Sequence, residues 1–126
     1  MPAVTLNGTS FAGTVFDSDS VVRAPQVVTP QPQWPGDSWQ MADGSPVVVR
    51  AATAPREAWE LRWNRVPEAT RAAVRAVFNV AGTFSATILG VTYTVQCPND
   101  AYSQELDIAI PGPTYYFNLT LKVQQT

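Results

Sequence analysis

The chain has 126 residues, a net charge of −2, one cysteine and no histidine. This length fits a single domain with one modest core. Charged residues make up 14% of the chain, well below the roughly 25% of an average soluble domain. Such a composition favours a protein that covers much of its surface with neighbours. With eight basic residues and no basic stripe, nucleic-acid recognition is not expected as its main task.

The residues that carry most enzyme chemistry are scarce. Without histidine the chain lacks the commonest general base and transition-metal ligand, and one cysteine cannot build a zinc site. Asp17 and Asp19 in "DSDS" could contribute to a calcium site or lie in a solvated turn. The turn is favoured because the glycine and the glutamate of an EF-hand loop are missing. Glu57, Glu60 and Glu68 could include a glycosidase pair, but strand and helix positions explain Glu60 and Glu68 without catalysis. We therefore expect no enzyme, no catalytic residue, no cofactor and no metal.

Two further features bear on compartment. Cys97, in "YTVQC", is interpreted as a small buried hydrophobic residue in preference to a reactive thiol. The start "MPAVTLNGTS" has no basic region followed by an apolar one, and no window holds about 20 apolar residues. We therefore expect neither a signal peptide nor a membrane partner.

The first 45 residues are rich in proline and weakly periodic. "AVTLNGTSFAGTVF" predicts a hairpin that turns at Asn7-Gly8, and the prolines that follow allow an arm, an edge strand or a loop but not a central strand. We predict an extended N-terminal arm and hairpin over residues 1–45, ordered on assembly, and a β-sandwich domain over residues 46–126. Tryptophans in the arm either fold back or insert into a neighbouring subunit. The interface candidates are Trp34, Trp39, Val27 and Val28.

From Pro46 onward the pattern is regular. "DGSP" predicts a turn before the strand "PVVVRAAT", and "REAWELRW" alternates strictly as a strand does. A helix is predicted over about residues 67–81, with Pro67 in its first turn and Gly82 as a left-handed stop. Four strands follow, with a tight hairpin at Gly90. These elements predict a mainly β fold, an antiparallel β-sandwich or small barrel with one flanking α-helix. The predicted core comprises Trp59, Leu61, Trp63, Val74, Val77, Phe78, Phe84, Tyr93, Val95, Phe117, Leu119 and Leu121.

The order of these motifs resembles a known family. A "W-x-L-x-W" strand, a helix opening "PEAT", a Gly-Thr-Phe exit, a hairpin and a final "YFNLTLKVQQ" strand are similar to small tail proteins of long-tailed bacteriophages. In particular, the order is similar to that of minor tail and distal tail proteins, and the resemblance covers residues 47–126. The residues that carry it are Trp59, Leu61, Trp63, Val74, Phe78, Gly82, Phe84, Tyr93, Val95, Leu119, Leu121 and Val123.

The resemblance implies a tail-tube-like fold in a structural virion protein. Six copies would form a homo-hexameric ring at the tube-tip or tube-neck junction, with DNA passing through the channel as non-specific cargo. The implied partners are other copies of the chain and adjacent tail-tube, tail-tip or neck proteins. The implied location is the virion tail, after synthesis in the host cytoplasm. Another ring of the virion stays open, and so does a carbohydrate-binding β-sandwich that uses Trp34, Trp39 and Tyr102.

Overall fold

The computed structural model describes residues 3–14, 16–32, 36–50, 56–109 and 115–126. It confirms a mainly antiparallel β fold with one helix, and the large sheet does not close into a barrel within these residues. The elements are β1 (Val4–Leu6), β2 (Thr9–Phe11), β3 (Val27–Pro30), β4 (Gly36–Gln40), β5 (Pro46–Arg50), β6 (Ala58–Pro67), α1 (Glu68–Phe78), β7 (Phe84–Ile88), β8 (Val91–Gln96), β9 (Tyr102–Ala109) and β10 (Tyr115–Gln125).

Eight strands form one bent sheet that acts as two layers. The first layer has the strand order β9-β10-β6-β3, and we name it the polar layer after the polar side chains on its outer face. The second layer has the strand order β2-β1-β7-β8. Strand β10 joins them, since its first residues pair with β9 and its last two with β8. Aromatic contacts across the layers, Phe11 on Trp63 and Tyr93 on Trp59, show that the layers face each other. The architecture is therefore a sandwich.

The alternation of β6 explains which face of the polar layer is buried. Trp59, Leu61 and Trp63 point into the core, whereas Arg62 and Asn64 on the other face are exposed. The alternation then breaks, because a bulge inserts one extra residue into β6 opposite β10. Arg65 takes a φ of 52° there and donates its backbone N–H to Asn118 Oδ1 at 3.0 Å. The next residue, Val66, is fully buried as a result.

The predicted core residues gather in one cluster. The structure buries nine of them, from both layers and the helix, and places Phe78, Tyr93 and Phe117 half-buried at its border. Apolar side chains of this size contribute about 1.5–3 kcal/mol each when they leave water. The cluster therefore accounts for most of the cohesion between the layers. The nine are Trp59, Leu61, Trp63, Val74, Val77, Phe84, Val95, Leu119 and Leu121.

Helix α1 covers the part of the inner face that the second layer leaves open. Val74 and Val77 are buried, and the helix packs on β10 and β6. Pro67 precedes the first turn, where its missing N–H has no intrahelical partner to lose. The predicted left-handed stop at Gly82 was wrong: the helix ends at Phe78, Asn79 caps it in right-handed conformation, and Gly82 has no positive φ. The Asn79 N–H bonds the Arg75 carbonyl and the Val80 N–H bonds the Val77 carbonyl, so no glycine reversal is needed.

The tight turns agree better with the sequence. Asn7 and Gly8 both have positive φ, 49° and 81°, as the two-residue β1–β2 turn requires. Leu89 and Gly90, at 52° and 82°, make the same turn between β7 and β8. Gly44, at 90°, closes the β4–β5 hairpin in "DGSP". Leucine is an unfavourable residue for such a φ, so the second turn carries local strain.

The division of the chain at residue 45 needs correction. Val4, Leu6 and Phe11 are buried in the common core, and β1 pairs with β7. Strand β3, an edge strand as the prolines allowed, pairs with β6. These segments belong to the sandwich because the core is incomplete without their side chains. Within the described residues, the β4–β5 hairpin is what stands apart from the large sheet.

Candidate assembly surfaces

The polar layer has a free edge on each side. Strand β9 pairs with β10 and β3 pairs with β6, and neither pairs with a further strand among the described residues. Because Lys122 donates its N–H to the Ala101 carbonyl at 2.9 Å, the alternation of the ladder turns the N–H of Gln104 away from β10. Because Gln31 donates to Ala58 at 2.7 Å, the same argument turns the N–H of Val28 away from β6. Both edges therefore offer unused backbone groups to a partner strand.

The directions of these two edges are complementary. Neighbouring strands in β9-β10-β6-β3 are all antiparallel, so β9 and β3 run in opposite directions. If β3 of one copy lies beside β9 of the next, that pair is antiparallel as well. The alternation then continues from copy to copy around a ring. Val27 and Val28, two predicted interface residues, lie on β3, where Val27 is exposed and Val28 half-buried.

The outer face of the polar layer carries charges of both signs. Arg62 pairs with Glu60 at 3.4 Å, and Lys122 stands opposite Glu60 in the register of β10 and β6. Glu105 lies on the same face, opposite Asn118. Arg65, at the bulge of β6, is exposed as well, so acidic and basic side chains are interspersed along these strands. Charges of both signs attract a polyanion less than a purely basic face would.

The predicted tryptophan sites divide into two groups. Trp34 lies outside the described residues, and Trp39 is on β4 opposite Val47, with its side chain outside the description. Trp59 and Trp63 are buried, so neither presents a ring face to a ligand. Tyr102 stacks on Phe78 with centroids 5.5 Å apart and donates its hydroxyl hydrogen to Gln104 at 2.6 Å. Tyr102 is therefore held as part of the fold.

An aromatic and cationic cluster stands where α1 meets β9 and β10. Arg75 lies 5.4 Å from the Tyr102 ring centroid, and Arg71 lies 5.6 Å from that of Phe117. Glu68 accepts hydrogen bonds from Arg71, which lowers the pKa of Glu68 and raises that of Arg71. Burial raises the pKa of Tyr102. These contacts anchor the helix and engage both arginines.

The two carboxylates of "DSDS" hold their loop in place through hydrogen bonds and an ion pair. Asp17 Oδ2 accepts the backbone N–H of Thr14 at 2.7 Å, and Asp19 pairs with the buried Arg23 at 3.1 Å. Tyr116 donates its hydroxyl hydrogen to Asp19 at 3.2 Å. No group of three His, Cys, Asp or Glu residues that could hold a metal occurs in the described ranges. Each of the two aspartates thus has a structural partner.

The remaining titratable candidates are dispersed. Glu57 uses its backbone to bond Gln125, while Glu60 is on the outer face and Glu68 is at the helix start. Burial raises the pKa of Cys97 to about 11, so its thiol is protonated and a poor nucleophile at neutral pH. In the described parts of the chain, no helix has the length and apolar character needed to cross a membrane.

Phe16 and Leu89 are two of the exposed apolar residues that sequence reasoning missed. Phe16 is 94% exposed and Leu89 is 63% exposed. Neither stands in a periodic pattern, and the signal that could have found Leu89 is its position before Gly90 in a two-residue turn.

Comparison with known proteins gives one structural likeness to report. No protein-family profile matches the chain, and no curated protein matches it. Among solved structures, the fold is similar to a chain of the "Virion of native gene transfer agent (GTA) particle". The TM-score is 0.49 at 9% sequence identity, and the alignment covers 99% of this chain and 90% of the other. Likeness at this level carries no argument about function.

Proposed function

We propose that the chain is a structural, non-catalytic virion protein of a long-tailed bacteriophage, which assembles with copies of itself into a ring in the tail. Six copies enclose a channel for DNA, and the ring sits at the tube-tip or tube-neck junction against tail-tube, tail-tip or neck proteins. The resemblance of residues 47–126 to small tail proteins supports the class of protein. The observation that carries the ring is the pair of free edges, β3 and β9, with opposite directions.

The free edges determine how copies would join. Backbone groups of Val28 and Gln104 point outward, and pairing β3 with the next copy's β9 would satisfy them. The same joint repeated around a closed ring leaves no edge exposed, whereas a two-fold dimer would pair identical edges. Pairing of two different edges, β3 of one copy with β9 of the next, therefore favours a ring.

The outer face would then line the channel. Its described charges have both signs, and the neutral side chains Asn118 and Thr120 lie between them. Lysine and arginine contacts to phosphates are what create non-specific affinity for DNA. A face of mixed charge would let DNA slide through more readily than a basic face would. We place this face toward the lumen because the buried face already holds the helix and the second layer.

The carbohydrate-binding alternative gains no support from the described residues. It needs exposed aromatic faces, whereas Trp59 and Trp63 are buried and Tyr102 stacks on Phe78. Trp34 and the side chain of Trp39 lie outside the description, so they add nothing in its favour.

A proline placed on a free edge tests the ring. Gln104→Pro removes the outward N–H of β9 but leaves the bonds to β10 in place, because proline is tolerated where an N–H faces solvent. Gln104→Ala is the matched control, since it removes the same side chain but keeps the N–H. Sedimentation velocity and negative-stain electron microscopy of the full chain should show rings for wild type and Gln104→Ala. Gln104→Pro should yield folded monomers.

Two results would overturn the proposal. The first is a wild-type chain that stays monomeric at high concentration. The second is a Gln104→Pro variant that forms rings as readily as Gln104→Ala does.

A further inference from the structure

The two free edges of the polar layer can be compared residue by residue, because the ladders fix where each residue lies. Strand β3 turns the backbone groups of Val28 outward, and β9 turns those of every second residue outward. Val28 can therefore form a hydrogen-bonded pair only with one of these residues on the next copy. They are Tyr102, Gln104 and Leu106.

Both edges carry apolar side chains on the core face of the layer. Val28 lies opposite the buried Leu61 and is half-buried at the border of the core. Leu106 lies opposite Phe117, which also borders the core, yet Leu106 itself is 52% exposed. Each edge therefore ends in an apolar side chain that a partner strand could cover.

Two rows of apolar and aromatic side chains cross this core face and distinguish the possible registers. The first row ends at Val28 on β3, and the second begins at Leu106 on β9. With Val28 opposite Leu106, the first row of one copy continues into the second row of the next. With Val28 opposite Gln104, the row meets an amide and Leu106 stays uncovered. The first row is Tyr102, Leu121, Leu61 and Val28, and the second is Leu106, Phe117 and Val66.

The polar face of the joint distinguishes the registers in the same way. With Val28 opposite Leu106, Thr29 lies opposite Glu105, and its hydroxyl can donate to the carboxylate. A slip of two residues puts the exposed Val27 opposite Glu105 instead. Valine offers the carboxylate no hydrogen bond, so the first register is again the better match.

The register also sets how far the strands tilt in a ring. Crossing the four strands of one copy along the first row leads from its Tyr102 to Leu106 of the next copy, a stagger of four residues. Four residues span about 13 Å along a strand and four strands span about 19 Å across the sheet, which gives a tilt of about 35°. Strands of closed barrels typically tilt by about 35–45°. Pairing with Gln104 halves the stagger and lowers the tilt to about 19°.

The direction of the stagger agrees with a channel lined by the polar face. An L-residue on an upward strand, with its side chain toward the viewer, directs its N–H and C=O to the right. Seen from the core side with β9 upward, the free edge at Gln104 is therefore on the right and β3 is on the left. The stagger then tilts the strands to the right, the hand that the normal twist of sheets gives to a closed structure seen from outside.

We propose that copies join in the register that places Val28 of one copy opposite Leu106 of the next, with a stagger of four residues per copy. The inference rests on the proposed function for the pairing of β3 with β9, and it adds which residues meet and how far each copy is displaced. Val28 and Leu106 exchange two backbone hydrogen bonds, and Gln104 donates its N–H to the Pro30 carbonyl.

Disulfide cross-linking of the full chain tests the register. In a Cys97→Ala background, Val28→Cys and Leu106→Cys are combined in one chain, which is oxidised mildly. Within one copy the two positions lie on opposite edges of a four-stranded layer, at least about 14 Å apart, whereas a disulfide joins Cα atoms about 4.4–6.8 Å apart. Every disulfide therefore links two copies, and we expect a ladder of covalent multimers on denaturing electrophoresis.

Val28→Cys combined with Gln104→Cys is the matched control. Position 104 is on the same strand and the same face, and it is also exposed. In the proposed register it lies diagonally across from Val28, at about 7–8 Å, which is too far for an unstrained disulfide. The yield of covalent multimers should be at least about tenfold lower than for the 28–106 pair.

A second measurement needs no cysteine. Leu106→Ser removes the apolar side chain that the joint covers, and should weaken self-association in sedimentation experiments by at least about tenfold. Val91→Ser is the matched control, because Val91 is 51% exposed but lies on β8, which takes no part in the joint. It should leave self-association unchanged, and circular dichroism should show that both variants are folded.

The outcomes separate the register from the ring. Rings in which 28–104 links equal or exceed 28–106 links, or a Leu106→Ser chain that associates as wild type does, overturn the register and leave the ring standing. Links between positions 28 and 106 in open filaments support the register and count against a closed ring. A wild-type chain that stays monomeric at high concentration overturns both.

Discussion

Trp63 links the N-terminal loop to the core, and its replacement by phenylalanine measures that link. The side chain is fully buried, lies 5.7 Å from the Phe11 centroid and donates its indole N–H to the Arg23 carbonyl at 2.9 Å. Trp63→Phe leaves a buried carbonyl unsatisfied, at about 1–3 kcal/mol, and a small cavity, at about 1 kcal/mol. We expect the free energy of unfolding to fall by about 2–4 kcal/mol.

Trp59→Phe is the matched control on the same strand. Trp59 is also buried and packs on Tyr93, but its indole nitrogen has no hydrogen-bond partner within the described chain. The stability that Trp59→Phe loses should come from the cavity alone and be near 1 kcal/mol. Urea unfolding followed by circular dichroism, at concentrations where the protein is monomeric, gives both values from the midpoint and slope. If the two variants lose equal stability to within about 0.5 kcal/mol, the hydrogen bond does not anchor the loop and the reasoning is refuted.

Three further predictions concern single positions. Leu89→Asn should raise stability by about 1 kcal/mol, since asparagine tolerates the φ of 52°; thermal unfolding checks this, and Leu89→Ala should show no such gain. Gly13→Ala should lower the free energy of unfolding by about 1–3 kcal/mol in the same assay, because the new Cβ would meet Val21 and Val22 at 2.7 Å. Gly82→Ala should leave the stability nearly unchanged, because nothing lies within 4 Å of its new Cβ. The pKa of folded Cys97 is near 11 instead of 9.0, so the folded chain should hold about 100-fold less thiolate at pH 8 than an ordinary thiol does. Iodoacetamide should therefore label the folded chain far more slowly than the urea-unfolded chain. Equal labelling rates would contradict the burial argument.

Much of the fold follows from local pattern. Strict alternation identified the buried face of β6, and Asn7-Gly8 identified the first hairpin turn, because both signals act within a few residues. The bulge at Arg65 and the stop of α1 at Asn79 depend on hydrogen bonds to Asn118 and to helix carbonyls. No periodic signal announces such bonds.

The candidate surfaces were harder to predict, for a physical reason. An exposed Phe16 does not differ from a buried one in sequence, and its exposure is set by a turn that Thr14 and Asp17 close. Likewise, the prolines around β3 allowed an edge strand, but which strand forms the other edge depends on how distant segments pair. Val27 and Val28 could be proposed from the sequence, whereas their partner edge on β9 needed the topology.

Strand β10 has a consequence for how the molecule opens. It is hydrogen-bonded to β6, β8 and β9, and its partners on β6 lie about 50–66 positions away in the sequence. Neither layer can fray without loosening the ladder on which the other depends, so amide protons in both should exchange at similar rates through one cooperative event. Pairing over such separations also places folding in the millisecond-to-second range typical of long-range β topologies.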